Sequence, residues 1–229
     1  MSSSLISAAR SVASLPRWQA IDTVLLDMDG TLLDLRFDNY FWLDLVPERY
    51  AAKHGLTLDE AREALRPMFA DRQGTLDWYC TDFWTRALSL DIAGMKREVQ
   101  EHVRFLPGAE EFLRALREKN VRVALVTNAH RDSLKVKATQ TGLLNYFDVV
   151  FSSHSFGMPK EHPAFWQQLE AALGFDPQRT LFVDDSHSVL RAAKNHGIAH
   201  IFAISKPDSA MDKREVTEFM SVEAVSQLL

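Results

Sequence analysis

Thr23-Val24-Leu25-Leu26 runs directly into Asp27-Met28-Asp29-Gly30-Thr31, and this stretch indicates the fold. The apolar run predicts a buried strand. Residues two apart in an extended or tightly turning segment project the same way, so Asp27 and Asp29 converge on one site while Met28 points into the core. Neighbouring carboxylates raise each other's pKa unless a cation lies between them or one is protonated. The pair therefore predicts a site for a hard divalent ion such as Mg²⁺, with a solvated strand end as the alternative.

Polar groups follow three further strand-like runs in the same way. The groups are Thr127-Asn128, Lys160 in the loop after residues 148–151, and Asp184-Asp185. Strands that alternate with helices predict an α/β fold with a parallel sheet, and ligands of such sheets bind beyond the carboxyl ends of the strands. Each group alone is explained by a turn, a helix cap or a solvated loop lysine. Their combination favours a catalytic site, in which Thr127 and Asn128 bind phosphate and Lys160 moderates charge.

The order Asp-x-Asp-Gly-Thr, Thr-Asn, Lys, Asp-Asp resembles the motifs of the haloacid dehalogenase (HAD) superfamily, whose members are mostly Mg²⁺-dependent phosphohydrolases. The resemblance implies that Asp27 is the nucleophile, Asp29 the general acid and base, and Lys160 the charge-neutralising lysine. It also implies a Rossmann-like core with an inserted helical cap. The metal set implied is Asp27, Asp29, Asp184 and Asp185, with Asp185 a direct ligand and Asp184 acting through metal-bound water.

The chemistry expected of such a site is hydrolysis through an aspartyl-phosphate. Phosphate monoesters hydrolyse so slowly that catalysis must supply up to about 10²¹-fold acceleration. A carboxylate nucleophile divides the task into two steps. Asp29 would then protonate the leaving group and afterwards take a proton from water, which requires a pKa raised toward neutrality.

Composition limits the other classes of protein. The chain has 229 residues, of which 46% are hydrophobic, with a net charge of −5 and a single cysteine, Cys80, expected to be buried. One cysteine excludes an internal disulfide framework, and the acidic balance argues against binding nucleic-acid polymers. No apolar run approaches the ~20 residues that span a bilayer, so we expect a cytoplasmic protein without membrane attachment. The sequence leaves open whether it is a monomer or a homodimer.

Three parts of the chain are distinguished by their patterns. Residues 1–20 are rich in Ser and Ala and predict a flexible tail, residues 21–33 and 107–229 predict the core domain, and residues 34–106 predict a helical cap. The position of this insertion resembles the first cap class of the superfamily. Residues 222–229 predict a terminal helix that packs its apolar side on the core.

The predicted cap is rich in aromatic residues, which suit stacking on a nucleobase but also suit a small helical core. Asp38, Asn39 and Tyr40 follow the first motif and are candidates for substrate selection, with helix capping as the alternative for Asp38 and Asn39. Segments 37–42, 76–80, 127–130 and 156–161 resemble the bacterial GMP/IMP nucleotidase branch, which implies hydrolysis of these purine monophosphates. A phosphatase for a sugar phosphate or phosphoglycolate, and a non-catalytic phosphate-binding protein, are the alternatives.

Four histidines lie close to the motifs in the sequence. His130 and His187 are expected at helix starts, with contact to phosphate a less favoured role for His130. His154 and His162 flank the Lys160 loop, but their spacing matches no closed zinc set.

Overall fold

A six-stranded parallel sheet forms the centre of the protein, in a computed structural model that describes residues 16–229. The strand order is β3-β2-β1-β4-β5-β6, so the α/β class expected from the sequence is confirmed. The strands are β1 (Thr23–Leu26), β2 (Arg122–Thr127), β3 (Val149–Ser152), β4 (Thr180–Asp184), β5 (His200–Ile204) and β6 (Met220–Val222).

The register of the sheet brings the predicted polar groups to one edge. Leu26, the last residue of β1, pairs with Leu125 of β2 and with Val183 of β4. The residues that follow these positions therefore leave the sheet side by side, since β1 lies between the two neighbouring strands.

The two faces of the sheet bury separate hydrophobic clusters. Along β1, Val24 and Leu26 belong to one cluster and Leu25 to the other, as expected from alternation along a strand. The first cluster packs against α7 (Ala109–Leu116). The second packs against α9 (Pro163–Leu173) and α10 (His187–His196). A further helix, α8 (Arg131–Thr141), connects β2 to β3.

A helical insertion separates β1 from β2 and has a core of its own. We use the name helical insertion for α1 (Arg36–Tyr40), a π-helical turn (Phe41–Leu45), α2 (Val46–His54), α3 (Leu58–Ala70), α4 (Leu76–Tyr79), α5 (Thr81–Leu88) and α6 (Ile92–Glu98). Its core includes Phe41, Leu65, Trp84 and Ile92, all at most 1% exposed. A capping box between Thr57 and Glu60 fixes the start of α3. No helix within residues 16–229 has the length and apolar character that crossing a membrane requires.

The two ends of the chain depart from expectation. The predicted terminal helix over 222–229 is wrong: Val222 ends strand β6, whose backbone pairs with β5, and Val225–Leu228 forms a short 3-10 helix. Pairing with the exposed edge of β5 satisfies more backbone groups than one short helix would. The predicted tail lies mostly outside the described residues, but Trp18 belongs to a 3-10 helix and donates from Nε1 to the carbonyl of Leu228 at 3.0 Å.

Candidate active site

Lys160 lies at the centre of the carboxyl ends of the strands. Its Nζ donates to Asp27 Oδ1 at 2.5 Å, to Asp184 Oδ2 at 2.7 Å and to the carbonyl of Val126 at 3.1 Å. The side chain is 2% exposed, so these bonds replace the water that the ammonium loses on burial. The two aspartates hold the pKa of Lys160 above its ordinary value despite that burial, which fixes a permanent positive charge beside Asp27.

Three carboxylates crowd around this ammonium. Each of Asp27, Asp184 and Asp185 places an oxygen within 4.8 Å of an oxygen of the other two. Burial raises the pKa of Asp27 to about 7, with Lys160 opposing the rise and Asp184 adding to it. Burial, opposed by Lys160, raises the pKa of Asp184 to about 6, and burial together with the Asp27 charge raises the pKa of Asp185 to about 7. We call these three residues the acidic trio.

The acidic trio fits a hard divalent cation. Its donors are carboxylate oxygens alone, the ligands that Mg²⁺ prefers, and their raised pKa values mark a site short of positive charge. Gly30 makes the close approach possible: a Cβ there would lie 2.7 Å from Asp185 Cγ, and its φ of 81° disfavours other residues. At the rim, Arg214 donates to Asp185 at 3.2 Å.

Asp29, proposed from the sequence as a member of the metal set, faces another partner. Its Oδ1 lies 2.6 Å from Lys137 Nζ, and its carboxylate is not among the three that cluster together. Lys137 also contacts Asp38 at 2.6 Å, and Asp38 in turn accepts from Lys96 at 2.9 Å. The result is a chain of alternating charges with buried lysines and partly exposed aspartates, Asp29–Lys137–Asp38–Lys96, which we call the lysine network.

The lysine network controls the acidity of its members. Burial raises the pKa of Asp29, although Lys137 opposes it. Burial alone would also raise the pKa of Asp38, but Lys137 and Lys96 hold it at about 2. Sequence reasoning missed both lysines. Lys96 and Lys137 lie on helices, α6 and α8, where a lysine is ordinarily solvated, and no local pattern separates them from their exposed neighbours.

Thr127 and Asn128 lie beside Asp27 and differ in the hydrogen bonds that their side chains already make. Thr127 Oγ1 accepts from the backbone N–H of Ala129 at 3.0 Å, so its hydroxyl proton remains available to a phosphate oxygen. The Asn128 side chain is used at both ends: Oδ1 accepts from the N–H of Lys160 at 2.9 Å and Nδ2 donates to Glu161 at 3.0 Å. Asn128 therefore holds the Lys160 loop in place.

The three candidates for substrate selection also differ in position. Asp38 is occupied by the two lysines, and Asn39 donates to Asp208 at 2.7 Å. Tyr40 is 37% exposed, and its ring packs on His102 with centroids 5.6 Å apart. Asp38 and Asn39 line the cavity described next, whereas Tyr40 does not.

A cavity of about 760 Å³ extends from the acidic trio to the helical insertion. Its volume is within the range of small-molecule sites. Five aromatic residues of the insertion line it: Trp42, Phe69, Trp78, Tyr79 and Trp84. Trp84 is 1% exposed and belongs to the core of the insertion, and it donates from Nε1 to the carbonyl of Trp78 at 2.9 Å. Trp84 thus supports Trp78, the more accessible ring. Tyr79 lines the same cavity and donates to Glu161 at 2.7 Å.

The structure also locates four side chains singled out from the sequence: His130, His162, His187 and Cys80. His130 and His162 accept backbone N–H groups at the starts of α8 and α9. His187 is the first residue of α10 and lines the cavity. Cys80 is half-buried and accepts from the N–H of Phe83 at the start of α5.

Comparisons with known proteins agree with this arrangement. Residues 21–197 match the family model of the haloacid dehalogenase-like hydrolases. The chain is 43% identical over 212 residues to the GMP/IMP nucleotidase YrfG of Escherichia coli K12, covering 93% of this chain and 96% of that protein. It is 26% identical to a phosphoglycolate phosphatase of Nitrosococcus oceani, covering 83% and 92%.

A solved structure extends the likeness to three dimensions. The HAD phosphatase from Thermococcus onnurineus superposes with a TM-score of 0.77 at 25% identity, covering 91% of this chain and 96% of that one. The residues that match the family model, 21–197, contain all four predicted polar groups, from Asp27 to Asp185. The chain is therefore an enzyme that belongs to the haloacid dehalogenase-like hydrolases.

Proposed function

We propose that this hydrolase is a Mg²⁺-dependent 5′-nucleotidase that releases phosphate from the purine monophosphates GMP and IMP. The observation that carries the proposal is one cavity that joins a buried Asp27–Lys160 pair to a wall of aromatic rings. The first element suits the phosphate and the second suits a planar base. The 43% identical relative supports the choice of substrate.

Asp27 is the proposed nucleophile. Its Oδ1 accepts from Lys160, which leaves Oδ2 to attack phosphorus. The Oδ2–P bond forms as the bond from phosphorus to the nucleoside 5′ oxygen breaks, and Asp29 gives its proton to that oxygen. Thr127 donates its free hydroxyl proton to a phosphate oxygen, and Lys160 offsets the negative charge of the aspartyl-phosphate.

Hydrolysis of the aspartyl-phosphate restores the starting state. Asp29, now ionised, takes a proton from a water molecule whose oxygen attacks phosphorus, and the Oδ2–P bond breaks to release phosphate. Asp29 needs a pKa above the ordinary aspartate value for both steps, and its pKa is raised by burial. Lys137 holds the Asp29 carboxylate in position from the opposite side.

A bound Mg²⁺ ion, held by the acidic trio, would supply Lewis-acid stabilisation of phosphate charge. Asp185 and Asp184 differ in which of their carboxylate oxygens are free to bind the ion. Lys160 donates to Asp184 Oδ2 and the N–H of Ser186 donates to its Oδ1, whereas within residues 16–229 Asp185 is bonded only at Oδ2, to Arg214. This difference supports Asp185 as the direct ligand and Asp184 as the contact through water.

The helical insertion is proposed to act as a cap of the first class over residues 34–106, with the core in 21–33 and 107–229. Its wall of the cavity faces the strand ends, so closure would exclude water from the reacting phosphate. The substrate is a single nucleotide in the cytoplasm, and the net charge of −5 disfavours a nucleic-acid polymer.

A second phosphatase activity, toward phosphoglycolate or a sugar phosphate, has the 26% identical relative in its favour. The aromatic wall argues against it, because a two-carbon leaving group would leave those rings uncovered. A binding protein without turnover would be expected to lack a catalytic group, but Asp27, Asp29, Lys160 and Asp185 are all present.

The test is phosphate release from GMP, IMP, AMP, UMP, phosphoglycolate and sugar phosphates, with Mg²⁺ and with EDTA. We expect GMP and IMP to have the largest kcat/KM and all release to stop with EDTA. Preference for phosphoglycolate would retain the catalytic assignment and overturn the purine assignment. Release that continues in EDTA would overturn the metal assignment.

A further inference from the structure

A second group of metal-binding side chains lies outside the acidic trio, where the helical insertion meets the core. Cys80, His130 and His154 each place a donor atom, the Cys80 sulfur or a ring nitrogen, within 4.8 Å of the other two. Cys80 precedes α5 of the insertion, His130 precedes α8, and His154 lies in the 3-10 helix after β3. The three residues are distant in sequence, and only the fold brings them together.

The His154 ring has a nitrogen without a role. Its Nε2 is buried and has no hydrogen-bond partner among residues 16–229, which is costly for a polar atom unless something else contacts it. The backbone of Asn128 accepts a hydrogen bond from this ring, which leaves Nε2 as the unpartnered nitrogen. With the ring proton on the nitrogen that donates to Asn128, the lone pair lies on Nε2.

The His130 ring is held by residues outside the Cys80–His130–His154 group. Its ring is 4.9 Å from that of His154 and nearly perpendicular to it. Its Nδ1 is 2.6 Å from Thr81 Oγ1 and 3.5 Å from the backbone N of Asp132. When the ring binds metal through Nε2, Nδ1 carries the proton and donates to Thr81 in place of accepting from Asp132, which is the outer contact that fixes the tautomer of a ligating histidine. On the other side, Asp82 Oδ2 lies 3.6 Å from His130 Nε2 and is within reach as a further oxygen ligand.

We propose that Cys80, His130 and His154 bind a thiophilic divalent cation of the zinc class, with the fourth position left to water or Asp82. One sulfur and two imidazoles are zinc ligands, and three protein ligands leave an open position. Ligands around one tetrahedral zinc lie about 3.5 Å apart, so donors that lie within 4.8 Å of one another need to approach by at most roughly one ångström. Thiolate and imidazole ligands disfavour Mg²⁺, which keeps this site distinct from the acidic trio.

Occupation of this site would join the helical insertion to the core. Cys80 belongs to the insertion, whereas His130 and His154 belong to loops at the carboxyl ends of β2 and β3. A bound ion would therefore cross-link the part of the molecule that carries the aromatic wall to the part that carries Asp27. Zinc would hold the insertion against the core.

Cobalt(II) absorption tests the proposal directly, because a thiolate ligand gives Co²⁺ an intense near-ultraviolet charge-transfer band. Cys80 is the only cysteine, so the band can arise at this site alone and never at the oxygen ligands of the acidic trio. We expect Co²⁺ added to the Mg²⁺-loaded full-length protein to produce the band at one equivalent, and Zn²⁺ to remove it. Absence of the band would overturn the proposal.

Three variants locate the ligands, each checked for folding by circular dichroism. Cys80→Ser should abolish the band. His154→Gln should weaken Co²⁺ binding by at least ~10-fold, since even outer-shell partners are worth ~10–100-fold. His162→Gln, which removes a histidine outside the group, should leave the band unchanged. Equal affinity in His154→Gln and wild type would contradict the assignment.

Alkylation of Cys80 by iodoacetamide gives a second readout that needs no variant. Zn²⁺ at one equivalent should slow alkylation of the wild-type protein by at least about tenfold, because a metal-bound thiolate is a poor nucleophile. An unchanged alkylation rate would overturn the proposal. Neither readout uses phosphate release, so failure here and failure of the nucleotidase assignment are separate results.

Discussion

The two charged regions that meet at Asp27 and Asp29 are built differently. In the acidic trio, the buried ammonium of Lys160 pairs with Asp27 and Asp184, and Arg214 at the rim contacts Asp185. In the lysine network, two buried ammonium groups balance two carboxylates. The pKa values follow this difference: Asp185 is raised to about 7, whereas Asp38 is lowered to about 2. A local deficit of positive charge therefore marks the place where a cation and a phosphate are expected to bind. A group with equal numbers of positive and negative charges instead holds its own side chains in position.

The largest expected effect comes from removing the nucleophile of the acidic trio. Asp27→Asn should lower kcat by about 10³-fold or more, because loss of a group that forms the covalent intermediate is not compensated by binding. The substitution keeps the shape of the side chain, and the protein should remain folded by circular dichroism. Retention of more than a few per cent of wild-type turnover would contradict the assignment of Asp27.

Breaking the lysine network should chiefly lower the free energy of unfolding. Lys137→Gln removes one ammonium from Asp29 and Asp38, whose side chains are 23% and 16% exposed. Loss of one partner of a fully buried ion pair typically costs about 3–5 kcal/mol, and partial exposure of the two carboxylates reduces the expected cost to about 2–3 kcal/mol. We expect urea unfolding to show a loss of this size, together with a lower kcat because Asp29 is no longer held in place. Lys135→Gln, on the exposed face of the same helix, should change the free energy of unfolding by no more than about 0.5 kcal/mol. It should leave kcat unchanged.

The imbalance of the acidic trio predicts an unusual dependence of stability on pH. Carboxyls whose pKa is raised on folding bind protons more tightly in the folded state. Their contribution to stability is therefore complete below about pH 4 and is lost as pH rises through about 6 to 7. In EDTA, the difference in the free energy of unfolding between Asp185→Asn and wild type, measured by urea unfolding, should grow in favour of the variant from pH 5 to pH 8, by on the order of 1–3 kcal/mol.

Metal should reverse that trend in the wild type. Mg²⁺ binds the ionised carboxylates, so it should raise Tm more at pH 8 than at pH 5, and it should have a smaller effect on Asp185→Asn at either pH. An equal Mg²⁺ effect on both proteins would indicate that Asp185 is not a ligand.

The smallest expected effect is at the aromatic wall. Trp78→Leu should raise KM for GMP by roughly 5- to 100-fold, since base–aromatic stacking is worth ~1–3 kcal/mol, while KM for phosphoglycolate should stay within about twofold. Tyr40→Leu, an aromatic substitution away from the cavity, serves as the matched control and should leave both KM values unchanged. Equal effects of Trp78→Leu on both substrates would argue against stacking.

The acidic trio could be anticipated from the sequence, whereas the lysine network could not. Asp27, Asp184 and Lys160 follow buried strands or their loops, and the register of a parallel sheet brings strand ends together whatever the intervening chain does. Lys96 and Lys137 lie on helices, where burial depends on how the insertion packs against the core. Their partner Asp38 was expected to face substrate for the same reason: its sequence position was visible, but its two cations were not.

Other departures have the same origin in tertiary contacts. The Asn128 amide bonds the Lys160–Glu161 loop at both ends, a contact that the sequence does not indicate, while its contact with phosphate stays a prediction. The apolar pattern of residues 222–229 was correctly identified as buried, with Val225 and Leu228 at most 1% exposed. Its conformation was set by the open edge of β5, which no local helical preference reveals.

Covalent trapping tests whether Asp27 is the residue that becomes phosphorylated during turnover. Enzyme mixed with GMP that carries a radioactive 5′-phosphate, quenched in acid during turnover, should retain label on the protein, and peptide mapping should locate it at Asp27. The label should be absent from Asp27→Asn and from wild type treated with EDTA. Label on another residue, or label that persists in Asp27→Asn, would contradict the account.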